Sequence, residues 1–395
     1  MKLDRLPVRL ERRLNGPPRW AMIAMPLLSG LVALLIAGVV LLISGHDPIA
    51  TYQSMFEAAF TSSGALSATL VSATPLLFTG LAAAIAFRMK AWNIGGEGQL
   101  YAGAICAAAA GIALGGQGLA IALPAMLVAA TIGGAAWAAI PGLLRAYLGT
   151  NEILTSLMLN YVAGFLMYYL IFDSKSYWRD VSSPGAQVFP QGKQLDPAAH
   201  WPGFVGSGLV VPLGFVIGAV LAALLFVVLR HTRFGFRLRV IADSPAAGRY
   251  AGMNTKRMFV LVMLISGALA GLAGASQVGD FSHVLEPEGL QQAQFGYTGI
   301  VGAALAHYNP LGVVISAVFL GGITNAGFKL QGATFPHGLV GTIEGIILFC
   351  VLGGEVLVRY RVRLGSAAGR PSPDPAPGAE PTPLTTGNAA SGRPA

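Results

Sequence analysis

Three acidic side chains, Glu97, Glu152 and Glu344, lie in or beside long apolar runs of this 395-residue sequence. If those runs cross a lipid bilayer, each carboxylate is costly there unless it is paired, protonated or wetted. Acidic residues at such positions commonly face a polar pathway through the membrane. Each of the three is therefore a candidate for a translocation pathway or for its gate.

Two of these carboxylates have polar neighbours. Asn93 and two glycines precede Glu97 in the stretch AWNIGGEGQL (residues 91–100), and Asn151 directly precedes Glu152. A helix that begins in residues 91–100 would turn its free backbone N–H groups toward a polar solute. In the structural alternative, Glu97 caps its own helix near the cytoplasmic interface, and the same alternative applies to Asn151 and Glu152. Both pairs could equally form an inner gate.

Two aromatic residues, Phe295 and Tyr297, lie at the start of a short apolar element at 295–306. Aromatic rings stack on the flat face of a nucleobase, an interaction worth roughly 1–3 kcal/mol per base in other proteins. The two residues are therefore candidate contacts for a nucleoside. Tyrosine also concentrates at membrane interfaces, so anchoring is the alternative role for Tyr297.

Catalytic and metal-binding motifs are absent from the sequence. It contains no G-x-x-x-x-G-K-[ST] phosphate loop, no H-E-x-x-H, no G-x-S-x-G and no cluster of Cys and His. Cys106 and Cys350 each lie inside an apolar run, as small core residues do. We therefore expect no catalytic residue, no metal site and no cofactor in this chain, which argues against an enzyme.

The composition indicates an integral membrane protein. Hydrophobic residues make up 54% of the chain and charged residues only 11%, against roughly 25% charged residues in soluble domains. The apolar runs predict an all-α, polytopic bundle of about ten membrane elements, some of them discontinuous. They lie at 21–43, 66–87, 98–114, 119–144, 153–172, 207–229, 258–279, 295–306, 310–328 and 339–352.

Two of these regions are too short or too polar for a simple span. The element at 295–306 cannot cross a bilayer unless it includes preceding polar residues, and residues 91–100 form a Gly-rich, polar interruption in the other half of the chain. Discontinuous helices in both halves are typical of transporters with internal repeats. The first run, 21–43, is longer than the roughly 7–15 residues of a signal-peptide core, so we expect a retained anchor.

Basic residues set the predicted orientation. If the N-terminus is cytoplasmic, 21 of the 25 Lys and Arg residues fall on the cytoplasmic side, as the positive-inside rule requires. Both termini are then cytoplasmic, and the net charge of +8 needs no nucleic-acid partner. The predicted domains are a basic head at 1–20, a transmembrane permease domain at 21–358 and a disordered Pro-rich tail at 359–395.

Two loops are long. Residues 173–206, predicted to be periplasmic, contain four prolines that argue against regular structure, and we expect a docking or lid surface there. Residues 230–257 form the predicted cytoplasmic loop. Within it, Asp243 or Ser244 can cap a short helix that Gly252 ends in a left-handed turn.

A helix of under two turns is unstable alone, because isolated helices shorter than ~12 residues are marginal in water. We therefore expect the short helix to pack into a partner. The alternative is a solvated basic turn that only sets the orientation of the neighbouring spans.

The sequence resembles the permease subunits of bacterial ATP-binding-cassette importers of the ribose and branched-chain amino-acid group, across most of residues 66–352. The stretches that carry the resemblance are NIGGEGQ (93–99), ADSPAAGRYAGMN (242–254) with SGALAGLAGA (266–275), and GYTGIVGAALAHYNPLGVVISA (296–317). The first stretch and GTNEILTSLMLNY (149–161) are most similar to the nucleoside branch, which works with basic membrane lipoproteins.

The resemblance implies an importer subunit that carries nucleosides across the bacterial inner membrane. It places the coupling to the ATPase at five loop residues, Asp243, Ala246, Ala247, Gly248 and Gly252. ATP and Mg would bind to a partner subunit.

The implied partners are a homologous second permease in a heterodimer, two ATP-binding subunits or one fused double ATPase, a periplasmic or lipid-anchored solute-binding protein, and membrane lipid. One alternative is a pentose, another sugar or another small polar solute in the same family. Alternatives of other classes are an ion-coupled secondary transporter that uses Glu97 or Glu344, and a membrane-embedded enzyme or scaffold.

Overall fold

The computed structural model describes residues 8–12, 19–182, 186, 188–206, 208–330 and 360–364, with four pairs of helical residues between 341 and 354. Glu344, most of the predicted span at 339–352 and the tail from 365 lie outside the described residues.

Thirteen helices and four strands make up the continuously described ranges. The helices are α1 (Arg19–Ile43), α2 (Pro48–Phe56), α3 (Ala65–Arg88), α4 (Gly96–Leu114), α5 (Leu119–Leu143), α6 (Glu152–Tyr168), α7 (Leu213–His231), α8 (Arg233–Asp243), α9 (Pro245–Tyr250), α10 (Thr255–Ser276), α11 (Pro287–Ala293), α12 (Phe295–Leu305) and α13 (Pro310–Leu330). The strands are β1 (Val8–Arg12), β2 (Gly203–Gly206), β3 (Leu209–Pro212) and β4 (Tyr360–Leu364). Wider π-helical turns extend α2, α5, α6 and α10.

The long helices confirm the all-α, polytopic membrane fold. Within the described residues, seven helices are long and apolar enough to span a bilayer. An eighth span results if Leu28–Ile43 and Pro48–Thr61, which meet at a bend of 117°, are counted as one. The predicted number of ten elements stays a prediction.

Several segments differ from the sequence-based expectation. Strand β4 (Tyr360–Leu364) lies in the tail that was predicted to be disordered. No membrane element was predicted between the runs at 21–43 and 66–87, but α2 begins at Pro48, with the Asp47 side chain accepting hydrogen bonds from two backbone N–H groups. The apolar run at 207–229 becomes helical only at Leu213, because strands β2 and β3 pair as an antiparallel hairpin first. The loop at 173–206 therefore contains regular structure despite its prolines.

The two ends of the described chain meet. Strand β1 pairs antiparallel with β4, so Val8 lies opposite Leu364 and Arg12 opposite Tyr360. A strand pair of this kind requires both ends to lie on the same side of the membrane.

Helices α3, α4, α5 and α10 form the centre of the bundle through closely packed small residues. A Cβ atom on Gly103 would overlap the backbone of Gly271, and one on Gly134 would overlap the backbones of Gly267 and Gly271. Close backbone approach through glycine is a common means of helix packing in lipid. This packing places the start of α4 deep inside the protein.

Candidate functional site

The two discontinuous regions predicted from the sequence meet at one buried junction. The irregular residues 89–95, in which Met89, Ala91, Asn93 and Gly95 are buried, lead into α4. Gln294, with a φ of 48°, separates α11 from α12. At the contact, Gly296 lies against the backbone of Glu97 so closely that a Cβ atom there would overlap it. The N-termini of α4 and α12 therefore face each other inside the bundle.

Glu97 links these two helix starts. Its side chain is 2% exposed. One carboxylate oxygen accepts a hydrogen bond from the Tyr101 hydroxyl at 2.7 Å, and the other accepts from the backbone N–H of Gly296. Because a helix N-terminus carries partial positive charge, it is a favourable partner for a buried carboxylate.

The structural alternative, in which Glu97 caps its own helix, is wrong. The N-cap of α4 is Gly95, which offers no side chain. Glu97 instead caps α12, a helix from the other half of the chain.

Asn93 fixes the irregular segment that precedes α4. Its amide exchanges two hydrogen bonds with the Gln99 amide, at 3.0 and 2.9 Å. The same Asn93 nitrogen donates to the Ser266 hydroxyl at 2.9 Å, which in turn donates to the Ala82 carbonyl at 2.8 Å. The network joins the start of α4 to α10 and α3, so Asn93 has a structural role at the junction.

Asn160 on α6 is a junction residue that sequence reasoning missed. Its oxygen accepts a hydrogen bond from the Gly98 N–H at 2.9 Å, and its nitrogen donates to the Ile94 carbonyl at 3.0 Å. It also donates to the Tyr297 hydroxyl at 3.0 Å. An Asn in the middle of the apolar run LTSLMLNYV was the available sequence signal.

The two candidate aromatic residues differ in exposure. Phe295 is 5% exposed, and its carbonyl accepts a hydrogen bond from the Thr79 hydroxyl at 2.9 Å. Tyr297 is only partly buried, with its hydroxyl held by Asn160. Of the two rings, that of Tyr297 is the more accessible to a solute.

Asn151 and Glu152 take structural roles at the start of α6. Asn151 is the N-cap, and its side-chain oxygen accepts a hydrogen bond from the Ile153 N–H at 3.0 Å. Glu152 forms an ion pair with Arg145 at 3.2 Å. Asn160, which contacts the junction, lies eight residues further along, about 12 Å at 1.5 Å per residue.

The short helix predicted within residues 230–257 is confirmed as α9. Ser244 is its cap, accepting a hydrogen bond from the Ala247 N–H at 3.2 Å, while Asp243 ends α8. Gly252 has a φ of 74°, the left-handed conformation expected at the stop. The Met253 N–H closes the turn by donating to the Gly248 carbonyl at 2.9 Å.

The candidate coupling residues fall into two groups by burial. Gly248 is buried, and a Cβ atom there would lie 3.0 Å from Ile241, so Gly248 lets α9 pack on α8. Ala246, Ala247 and Gly252 are exposed. Tyr250, which sequence reasoning missed, is 98% exposed at the end of α9. An exposed aromatic residue beside small residues is suited to contact with a partner protein.

The loop at 173–206 is held against the end of α10. The Leu195 N–H donates to the His283 carbonyl at 2.8 Å, and the Trp201 N–H donates to the Gly279 carbonyl at 3.0 Å. The rings of His200 and His283 stack with centroids 3.6 Å apart. Burial lowers the pKa of His283, and the neighbouring His200 ring lowers it further.

A bundle of membrane-spanning helices with a buried polar junction between two discontinuous helices is typical of multi-pass membrane transport proteins. The chain belongs to the family described as branched-chain amino acid transport system / permease component, whose model matches residues 65–352. The predicted resemblance is therefore confirmed. Membership in a family of transport subunits implies ATP-binding and solute-binding components as partners.

Three relatives illustrate the range of the family. The chain is 32% identical over 359 residues to the glucose ABC transporter permease protein TsgB13 of Haloferax volcanii, covering 87% of this chain and 91% of that protein. It is 30% identical over 335 residues to the guanosine ABC transporter permease protein NupP of Bacillus subtilis, covering 84% and 94%. It is 25% identical over 332 residues to the nucleoside ABC transporter permease protein NupB of Lactococcus lactis, covering 83% and 90%.

Proposed function

We propose that this chain is the translocation subunit of an ATP-driven importer that carries nucleosides across the inner (cytoplasmic) membrane. The observation that carries the proposal is the similarity to guanosine and nucleoside permeases along more than four-fifths of the chain. The partly buried Tyr297 ring beside a buried polar junction supports it, because a nucleoside offers both a flat base and hydroxyl groups.

The proposed assembly follows from the family and from the loop at 230–257. A homologous second permease pairs with this chain as a heterodimer, and two ATP-binding subunits, or one fused double ATPase, contact α9. A periplasmic or lipid-anchored protein delivers the solute. ATP and Mg bind to the ATP-binding subunits, and this chain itself holds no cofactor.

The proposed orientation has both termini in the cytoplasm. The charge count supports it, since 21 of 25 basic residues then lie inside. The pairing of β1 with β4 is consistent with it, because that pairing requires the two ends to share one side.

Motion at α9 would change which face of the membrane the junction opens to. ATP-driven closure of the partner subunits can bias this equilibrium only if their contacts differ between the two states. The Glu97 bridge makes the starts of α4 and α12 move together. Opening therefore shifts elements from both halves of the chain at once.

A sugar is the second candidate solute. The observation that favours it is the 32% identity to a glucose permease over 87% of this chain. A sugar has hydroxyl groups but no aromatic base, so it could pack on the Tyr297 ring only through its C–H groups.

The experiment is competition for uptake by the reconstituted transporter. Labelled guanosine uptake should be inhibited by other nucleosides and not by ribose or glucose. Tyr297→Phe keeps the ring and should retain most uptake, whereas Tyr297→Leu should raise the KM about tenfold, in line with stacking worth roughly 1–3 kcal/mol. If glucose inhibits guanosine uptake, and if Tyr297→Phe and Tyr297→Leu lose equal amounts of uptake, a sugar is the favoured solute.

A further inference from the structure

An apolar groove opens between α3, α7, α8 and α10, away from the polar junction. Its volume is about 280 Å³, and nine side chains line it, all aliphatic or phenylalanine. Leu224 and Val228 lie on its α7 wall, Phe234 on α8 and Leu261 on α10. A groove with only hydrocarbon side chains is suited to a hydrocarbon ligand.

One end of the groove is basic. Arg233 directly precedes Phe234, and Arg257 lies one helical turn before Leu261 on the same face of α10. Both arginines are exposed. The loop at 230–257 carries seven Lys and Arg residues and one acidic residue. Anionic lipid head groups are attracted to clusters of this kind.

The exposed surface beside the groove has the character of a lipid-facing surface. The large exposed hydrophobic side chains of α7 are Val220, Leu224 and Val227, all aliphatic. The exposed face of α6 differs, because Tyr161 and Phe165 are 59% and 72% exposed there. Aromatic residues are enriched where proteins contact one another. A partner permease is therefore a better match for α6, and lipid for α7.

We propose that this groove binds an acyl chain of an anionic phospholipid of the inner leaflet, with the lipid head group held by Arg233 and Arg257. The head group then lies at the start of α8, the helix that leads directly into α9. The lipid fills the space between the membrane helices and the coupling segment and supports the position of α8. This site is independent of which solute the transporter carries.

The chain offers a matched control for each half of the site. Leu224→Trp fills the groove, whereas Val227→Trp places the same ring on the same helix outside the groove lining. Arg257→Ala removes a head-group contact. Lys256→Ala is the control, because it removes the adjacent positive charge. The Lys256 ammonium lies over the Tyr147 ring, 5.5 Å from its centroid.

The experiment measures lipid retention by the intact transporter in native mass spectrometry, with phosphatidylglycerol and phosphatidylcholine of identical acyl chains as probes. We expect preferential retention of phosphatidylglycerol. Leu224→Trp should abolish its retention, and Arg257→Ala should lower it about fivefold, the effect expected for one basic residue near an anionic lipid. The Val227→Trp and Lys256→Ala variants should retain phosphatidylglycerol as the unaltered transporter does.

Three results would overturn the proposal. The first is equal retention of the two lipids by the unaltered transporter. The second is an equal effect of Arg257→Ala and Lys256→Ala. The third is efficient crosslinking of a Leu224→Cys variant to the second permease, which would show that protein covers the groove. Because Arg257 is exposed, its variant tests the site even if Leu224→Trp fails to fold.

Discussion

The carboxylate of Glu97 accepts a hydrogen bond from the backbone of Gly296, across 199 residues of sequence. Each residue lies at the start of a helix that begins inside the bundle, α4 for Glu97 and α12 for Gly296. The bond joins the two discontinuous regions of the permease. A buried carboxylate thereby replaces the backbone partner that α12 lacks at its first turn.

Replacing Glu97 distinguishes a capping role from an ion-carrying role. Glu97→Ala leaves the Gly296 N–H and the Tyr101 hydroxyl without this partner, at a cost of roughly 1–3 kcal/mol. We expect a lower melting temperature of the purified transporter and at least tenfold slower uptake. Glu97→Gln keeps an oxygen acceptor for the Gly296 N–H, so this variant should have nearly the melting temperature and the uptake rate of the unaltered transporter. Complete loss of uptake in a stable Glu97→Gln variant would instead indicate that the charge itself is needed, as in an ion-coupled transporter.

Replacing Gly252 tests whether the loop at 230–257 couples ATP hydrolysis to import. Its φ of 74° disfavours any residue with a Cβ atom by roughly 1–2 kcal/mol, although the space around it is open. Gly252→Val should therefore distort the end of α9 and raise the number of ATP molecules hydrolysed per solute imported. Ala251→Val adds the same side chain at a residue with a φ of −79° and is the control. An unchanged ATP-to-solute ratio in Gly252→Val would refute the placement of the loop.

Tyr250 is expected to anchor the ATP-binding subunit. It is 98% exposed in the isolated chain, so its removal should not destabilise the permease. Tyr250→Ala should weaken co-purification of the ATPase at least tenfold, since exposed aromatic residues are frequent binding hot spots. Tyr250→Phe, which keeps the ring, should bind nearly as well. Full ATPase retention by Tyr250→Ala would exclude this contact.

The loop at 173–206 should detach from the end of α10 as the pH falls. Burial and His200 lower the pKa of His283 below its ordinary value near 6.5, so the docked loop disfavours the protonated ring. Docking is then complete above about pH 6.5 and weakens as the pH falls from there toward the lowered pKa.

The loss of loop docking can be measured by hydrogen exchange. The protection factors of the Leu195 and Trp201 amides, which hold the loop, should fall as the loop detaches. His283→Asn removes the titrating ring and tolerates the left-handed φ of 54° at this position. It should make both protection factors independent of pH between 5 and 7. A pH dependence that persists in this variant would assign the effect to another group.

The sequence predicts the long helices well, because the length of an apolar run is a direct physical requirement for crossing lipid. The run at 66–87 corresponds to Ala65–Arg88, and the short element at 295–306 corresponds to Phe295–Leu305. The helix α9 was also predictable, since capping serines and left-handed glycines act through local backbone chemistry.

The predictions from sequence that were wrong or absent have two physical causes. Strand β3 is apolar enough to resemble part of a span, and α2 contains polar residues such as Gln53 that lower its hydropathy. The second cause is tertiary contact. Nothing local to Glu97 indicates that it caps a helix 199 residues away, and the role of Asn160 depends on which turn of α6 meets α4.

The most direct test of the account is uptake of labelled guanosine into proteoliposomes that contain this permease, its second permease and the ATP-binding subunits, with the solute-binding protein outside. The account predicts uptake that requires internal ATP and Mg and persists when proton and sodium gradients are collapsed. Uptake driven by an ion gradient without ATP would contradict it.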